Sequence, residues 1–333
     1  MDQINDWLPL AFLALMGLSV LIYAVLDGYD LGVGILIPLD NSEHSDHMIA
    51  SIGPFWDANE TWLVLAVGIL LIAFPVAHSQ VLYALYLPSV VMLSGLILRG
   101  VAFDFRAKAA VAYRELWDKA FKVGSLVVAL SQGYMLGRYV LGFESGTLAY
   151  VFAGLSAVCV ASAYTLIGAC WLIMKTSGNL QLSAAKWAKY ALILTGFGII
   201  AISIINPLIS PRIFDKWFSL PQVLLLWIVP VLCFGLFALV YWYLRRMPLQ
   251  NDLGCWIPFA SVAMIFVLAF IGLGYSFYPY VIPEQLNVWE AASARESLWV
   301  IFIGVAIVLP CILGYTIFAY RVFWGKAGAL KYY

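Results

Sequence analysis

The sequence predicts an all-α fold, a polytopic membrane helical bundle of about nine transmembrane helices with its N-terminus outside and its C-terminus inside. Composition is the first observation behind this prediction: 64% of the 333 residues are apolar and only 11% are charged, far outside the range of soluble domains. The second is the grouping of apolar residues into runs of about 20, the length a helix needs to cross roughly 30 Å of hydrocarbon.

Polar breaks separate nine apolar segments along the chain. They cover about residues 8–27, 57–77, 81–103, 120–141, 148–173, 188–207, 221–244, 256–279 and 297–320. The boundary between the second and third segments is the weakest, because it consists only of residues 76–80. The first segment could continue as a helix to Ile37, because residues 31–37 are also apolar.

We expect one integral membrane domain over residues 1–333. A faint echo between residues 23–26 and 164–167 suggests a division into two four-helix halves, about 1–142 and 148–279, followed by one C-terminal helix at 297–320.

The third observation is the distribution of Lys and Arg, which sets the orientation. Loops after odd-numbered segments, together with the C-terminus, hold 13 of the 18 basic residues, and the opposite loops hold 4. Arg99 lies within the third segment. The acidic N-terminus has no small-residue cleavage site, so we do not expect a secretory signal there.

Composition also excludes several kinds of site. The 18 basic and 18 acidic residues balance, so we expect no nucleic acid partner. The five cysteines lie scattered in apolar runs without Cys-x-x-Cys spacing, which predicts packing and no metal site. Only His44, His47 and His78 could offer imidazole, and all three fall in predicted loops. Because haem in a membrane bundle is typically held by His or Met on the helices, we expect none on this chain.

Two acids begin the second segment. Residues 63–77 are too short to cross the bilayer, so the span must begin near Asp57, which places Asp57 and Glu60 at or inside the hydrocarbon edge. Ionisable groups there cost a few kcal/mol and usually face a protein interior or a water path.

Two simpler explanations apply to this stretch. The helix dipole favours carboxylates at an N-terminus and could account for either Asp57 or Glu60. The neighbouring Trp56 and Trp62 could be interfacial belt residues. Capping alone does not explain why Asn59 and both tryptophans surround the acids.

The first segment ends in a second acidic motif. Asp27 and Asp30 share one helical face, and Gly28 and Gly32 form a small-residue seam for close helix packing. A helix end with caps and a packing seam would explain this pattern. We favour a charged interior, because the dipole disfavours two acids at a helix C-terminus.

Arg99 and Asp104 end the third segment. Arg99 could extend to the inner headgroups, or it could be the counter-ion of the carboxylates on neighbouring helices, holding them ionised or poised for proton exchange. We favour the counter-ion. The orientation then predicts six charged residues at one depth, the cytoplasmic edge: Asp27, Asp30, Asp57, Glu60, Arg99 and Asp104.

Three stretches, LDGYDLGVG (26–34), GPFWDANETWL (53–63) and LRGVAFDFR (98–106), together resemble subunit II of the cytochrome bd-type quinol oxidases, including the cyanide-insensitive branch. Length and segment number fit that family over the whole chain. Relatives often carry His before the Trp-Asp pair, where this chain has Phe55. A proton route that depends on that imidazole is therefore in doubt here.

The resemblance implies a heterodimer in a bacterial inner membrane. Its haem-bearing subunit I would hold two b-type haems and one d-type haem, oxidise quinol and reduce O2 to water with cytoplasmic protons. Subunit II would bind no haem, pack against subunit I and contribute to a proton path. A structural quinone or lipid could bind to it, and a small single-span subunit could join the complex.

The sequence thus favours a non-haem oxidase subunit with a proton entrance. We expect no catalytic residue on this chain. Asp57 is the first candidate for a residue that relays protons. The supporting acids are Glu60, Asp27, Asp30 and Asp104, and Arg99 is their counter-ion. The supporting motif consists of Trp56, Asn59, Trp62, Gly28 and Gly32. A proton-coupled secondary transporter is the alternative, although acids at one edge and an odd span count argue against it. A purely structural scaffold remains a third possibility.

Overall fold

The computed structural model describes residues 7–109, 111–220, 223, 226–248 and 252–328. Within these ranges the chain forms twelve helices and one two-stranded antiparallel sheet. The elements are α1 (Leu8–Leu36), α2 (Ser42–Ile52), α3 (Trp56–Ala73), α4 (Pro75–Lys108), α5 (Val111–Val140), α6 (Thr147–Lys175), α7 (Gly178–Ile209), α8 (Pro211–Phe218), α9 (Ile228–Arg245), α10 (Ile257–Phe277), β1 (Tyr280–Ile282), β2 (Leu286–Asn287), α11 (Val288–Ala291) and α12 (Arg295–Val322).

Each of the nine predicted segments corresponds to one long helix, which confirms the all-α bundle. Eight of these helices in the described part of the chain are long and apolar enough to cross a membrane. The other is α5, which has 30 residues but a more polar composition. The number of crossings, the orientation and the division into halves stay predictions.

Several helix boundaries differ from the ends of the predicted segments. The first helix continues past residue 27 to Leu36, as the apolar residues 31–37 allowed. The weak boundary between the second and third segments lies at Phe74 and not at 76–80. Pro75 explains this position, because proline lacks a donor and its fixed φ suits the first residue of a helix.

The prediction that all three histidines fall in loops is wrong. His44 and His47 lie on the short helix α2, and His78 lies in the first turn of α4, so none of the three is in a loop. None of them is buried.

The first helix is central to the bundle, where it packs against α3, α5 and α6. Its closest approach is to α6, at two glycines. A Cβ atom added to Gly32 would lie 1.8 Å from the carbonyl oxygen of Tyr164, and one added to Gly168 would lie 2.5 Å from the backbone of Gly32. The two backbones therefore touch, and this contact fixes the depth at which residues of α1 meet the rest of the bundle.

Candidate functional site

Three charged side chains from three helices meet inside the bundle. Arg99 Nη1 on α4 lies 2.7 Å from Asp27 Oδ1 on α1 and 3.3 Å from Glu60 Oε1 on α3. Asp27 and Arg99 are fully buried, and the Glu60 side chain is 26% exposed. The structure thus makes Arg99 the counter-ion of carboxylates on neighbouring helices and not a side chain that extends to the headgroups. We call these three residues the ion cluster.

Two residues of the ion cluster lie further from the helix ends than the sequence predicts. Asp27 is nine residues before the last residue of α1, and Arg99 is nine residues before the last residue of α4. At about 1.5 Å per residue, both lie roughly 14 Å from those ends. The difference arises because both helices are longer than the apolar segments that predicted them.

Asp30 belongs to a neighbouring hydrogen-bond network. Asn59 Nδ2 donates to Asp30 Oδ2 at 2.7 Å and to the Tyr29 hydroxyl at 3.0 Å. The hydroxyls of Tyr29 and Tyr320 are 2.6 Å apart, and the Tyr320 hydroxyl donates to Asn59 Oδ1 at 3.2 Å. Asn59 therefore joins an acid of α1 to a tyrosine of the last helix.

A third set of polar groups continues from Asp27 toward the middle of α1. Tyr23 lies one helical turn before Asp27 and interacts with it electrostatically. Gln132 Nε2 donates to the Tyr23 hydroxyl at 2.5 Å, and the Tyr164 hydroxyl donates to Gln132 Oε1 at 2.8 Å. This set links α1, α5 and α6 within the apolar interior.

Several buried polar atoms have no hydrogen-bond partner among the described residues. They are Asp27 Oδ2, Asp30 Oδ1, and Nε and Nη2 of Arg99. Buried polar groups in native proteins are ordinarily satisfied, commonly by ordered water. The site therefore has the donors and acceptors to bind water between its carboxylates.

The structure does not bring two of the predicted acids into this interior. Asp57 and Asp104 are both exposed, and no ion pair of either occurs among the described residues. Asp57 lies one turn before Glu60 on α3 and contributes to its electrostatic environment. Asp57 thus belongs to the surface next to the ion cluster.

Two aromatic residues of the supporting motif contact the ion cluster or the core. The Arg99 guanidinium lies 5.8 Å from the Trp56 ring centroid, and Trp62 is 1% exposed. Phe55 stacks on Tyr320 with ring centroids 4.4 Å apart. In this chain Phe55 is a packing residue beside the network and offers no group that could carry a proton.

Sequence reasoning missed the four residues that extend the site: Tyr23, Gln132, Tyr164 and Tyr320. Gln132 could have been found, because an amide in the middle of an apolar segment needs a partner. Tyr320 could not, because its pairing with Tyr29 joins positions 291 residues apart.

The Asn59 network gives a first prediction. Asn59→Ala is expected to destabilise the protein by about 1–3 kcal/mol, because it removes the buried donor to Asp30 Oδ2 and one hydrogen-bond partner from each of the Tyr29 and Tyr320 hydroxyls. The midpoint of thermal unfolding in detergent measures this effect. Thr61→Ala is the matched control on α3, since its exposed hydroxyl bonds only to the carbonyl of Ala58. An equal shift in both variants would contradict the prediction.

The chain is similar in sequence and fold to one family of known proteins. Residues 8–323 match the family model of cytochrome bd terminal oxidase subunit II. The chain is 26% identical to cytochrome bd-I ubiquinol oxidase subunit 2 of Escherichia coli, over 94% of this chain and 93% of that protein. It is 27% identical to cytochrome bd ubiquinol oxidase subunit 2 of Bacillus subtilis, over 90% of each chain. A chain in the bd oxidase structure from Geobacillus thermodenitrificans shares the fold, with a TM-score of 0.77 at 18% identity over 96% of this chain and 100% of that chain.

Proposed function

Because the chain belongs to the family of cytochrome bd terminal oxidase subunit II, we propose that it is the non-haem subunit beside a haem-bearing subunit I and provides a cytoplasmic-side proton path for the reduction of O2 to water. Haems b and d in the partner would supply the electron transfer, with quinol as reductant. This chain would position carboxylates and water. A bacterial inner membrane is its proposed location.

The observation that carries the proposal is the order of burial of three neighbouring acids. Asp57 is exposed, Glu60 is 26% exposed and Asp27 is fully buried. Carboxylates can pass a proton between them through bound water, and ionisable groups inside a membrane protein commonly mark such paths. The contact with Arg99 offsets the cost of burying the Asp27 carboxylate, which would be high without a paired charge.

The surface around Asp57 supports a protein partner. Asp57 shares one face of α3 with Thr61, Val64 and Leu71, and all four residues are exposed. A carboxylate on a face that touched lipid would be costly, whereas a face against another subunit can offer a partner or water. We therefore assign this face to subunit I and Asp57 to the junction of the two subunits.

The haems are assigned to the partner on the basis of the histidines. His44 and His47 lie on the short helix α2, His78 lies in the first turn of α4, and none of the three is buried. Haem in a membrane bundle is typically held by side chains that point inward from the helices. A structural quinone or lipid on this chain, and a small single-span subunit in the complex, remain part of the proposal.

The test is turnover of the complete complex with Asp57→Asn. We expect quinol-driven oxygen consumption to fall several-fold, while the reduced-minus-oxidised absorption spectrum retains the haem bands. The amide keeps the size of the side chain but cannot take up and release a proton at this position. Glu115→Gln is the control, since Glu115 is an exposed acid at the same end of the bundle, paired only with Lys119 on the surface of α5.

The result for Asp57→Asn distinguishes a proton path from a structural scaffold and from an assembly defect. Full turnover in Asp57→Asn would remove Asp57 from the path and favour a structural scaffold. Loss of haem together with turnover would indicate an assembly defect. Family membership favours the oxidase over a secondary transporter.

A further inference from the structure

A cavity of about 240 Å³ lies apart from the ion cluster, beside the segment that follows α12. Its walls come from the turn before α3, the last residue of α6 and residues 322–328. Two lysines, Lys175 and Lys326, line it together with Phe323 and Trp324. It lies at the end of the bundle that the basic-residue bias assigns to the cytoplasm.

Lys175 is the unusual residue of this cavity. It is 4% exposed, and its Nζ donates to the carbonyl oxygen of Phe323 at 2.7 Å. The ammonium lies 5.0 Å from the Trp171 ring centroid and 5.7 Å from that of Phe55. No carboxylate lies within ion-pair distance of it among the described residues. Lys175 thus has a carbonyl and two ring faces as partners, but no anion.

Several other basic side chains of the bundle have carboxylate partners. Arg99 and Arg106 are buried, and each contacts two carboxylates. Lys326 pairs with Asp252 at 3.2 Å. The hydrogen bond from Gln181 holds the pKa of Asp252 below its ordinary value, so this carboxylate is charged at neutral pH and balances Lys326. Among the described residues that line the cavity, Lys175 is then the one basic residue without a carboxylate partner.

We propose that the cavity binds the phosphate group of one anionic phospholipid, with Lys175 as the counter-ion. A phosphodiester carries one negative charge, which matches the charge of Lys175, and its oxygens accept the hydrogen bonds that lysine donates. At about 30 Å³ per water, the cavity volume corresponds to roughly eight waters, enough for such a group.

The surroundings favour a lipid over a soluble phosphate. Trp324 is 70% exposed and Phe323 is 51% exposed beside the cavity. Aromatic residues are enriched where protein meets the headgroup region, and anionic lipids are enriched in the cytoplasmic leaflet. The acyl chains would extend along the outer surface of the bundle. This site is independent of the proposed proton path, so either can fail without the other.

The experiment compares Lys175→Met with the wild type in the intact complex, using native mass spectrometry to count retained phospholipids. We expect Lys175→Met to retain one phospholipid fewer. The control is Lys186→Met, which removes an exposed lysine near the same end, from α7, and is expected to retain the wild-type number. An unchanged count in Lys175→Met would overturn the lipid assignment.

A second measurement distinguishes the source of the phosphate. Inorganic phosphate is titrated into delipidated complex and followed by ³¹P line width. If phosphate broadens the ³¹P line with the wild type but not with Lys175→Met, and the lipid count is unchanged, the site binds free phosphate and the lipid assignment is rejected.

A third experiment applies if Lys175→Met does not assemble. A phospholipid with a photoreactive headgroup is then applied to the wild-type complex. Labelling within residues 50–55 or 322–328 supports the proposal, and labelling only elsewhere overturns it.

Discussion

Replacement of Arg99 by methionine is expected to remove most of the assembled protein from the membrane. Arg99 is fully buried and pairs with Asp27, which is also fully buried, so the variant leaves a carboxylate with no counter-ion in the bundle. Removing one partner of a buried ion pair costs about 3–5 kcal/mol. The yield of detergent-extracted complex and its midpoint of thermal unfolding measure the loss.

Two further variants separate the charge effect from the loss of a long side chain. Lys108→Met removes an exposed basic residue at the end of the same helix and is expected to leave the yield unchanged. The double variant Arg99→Met with Asp27→Leu is expected to recover most of the yield, because replacing a buried pair by apolar residues is often close to neutral. A double variant as poor as Arg99→Met alone would show that the cost is not one of unpaired charge.

Gly168→Ala is the second variant with a large expected effect. Its new methyl group would lie 2.5 Å from both the Gly32 carbonyl carbon and the Val33 nitrogen. These are backbone atoms that no rotamer change can move, so α1 and α6 must separate. We expect a loss of about 3 kcal/mol or more, at or above the upper end of the usual range for overpacking. Thermal unfolding of the purified complex is the measurement.

The same helix supplies the control for this prediction. Gly154 is exposed, and a Cβ atom there meets nothing within 4 Å. Because alanine favours a helix over glycine by about 1 kcal/mol, Gly154→Ala is expected to be neutral or slightly stabilising. Similar destabilisation in both variants would contradict the assignment of the loss to the contact between α1 and α6.

Much of the architecture was predictable because a membrane imposes it. Long apolar runs must be helices where lipid offers no hydrogen-bond partner, and each predicted segment corresponds to one helix. The extent of α1 was left open by the sequence, because the polar motif at residues 27–30 looks like the end of a span while residues 31–37 are apolar. In the structure these acids are paired inside the bundle by Arg99 and Asn59, and the helix continues past them.

The charged residues of the site could be predicted from the sequence, but its tyrosine hydroxyls could not. Opposite charges at the ends of neighbouring segments indicated that Asp27, Glu60 and Arg99 would meet. A tyrosine in an apolar segment carries no comparable indication, because its ring packs as well as any other apolar group. The partner of Tyr29 depends on how the last helix packs, and no local pattern encodes that. The exposure of Asp57 depends on how α3 packs in the bundle, and no local pattern encodes that either.

The distance along the chain between Tyr29 and Tyr320 has a consequence for biogenesis. Arg99 can neutralise Asp27 once α4 has entered the membrane, but the hydroxyl of Tyr29 must wait for α12. The ribosome still has 221 residues to add between Arg99 and Tyr320, which takes roughly 11–44 s at about 5–20 residues per second. During that interval the nascent subunit has Asp27 paired with Arg99, while the Tyr29 hydroxyl lacks its Tyr320 partner. The hydrogen-bond network of Tyr29 is therefore complete only after α12 has been synthesised.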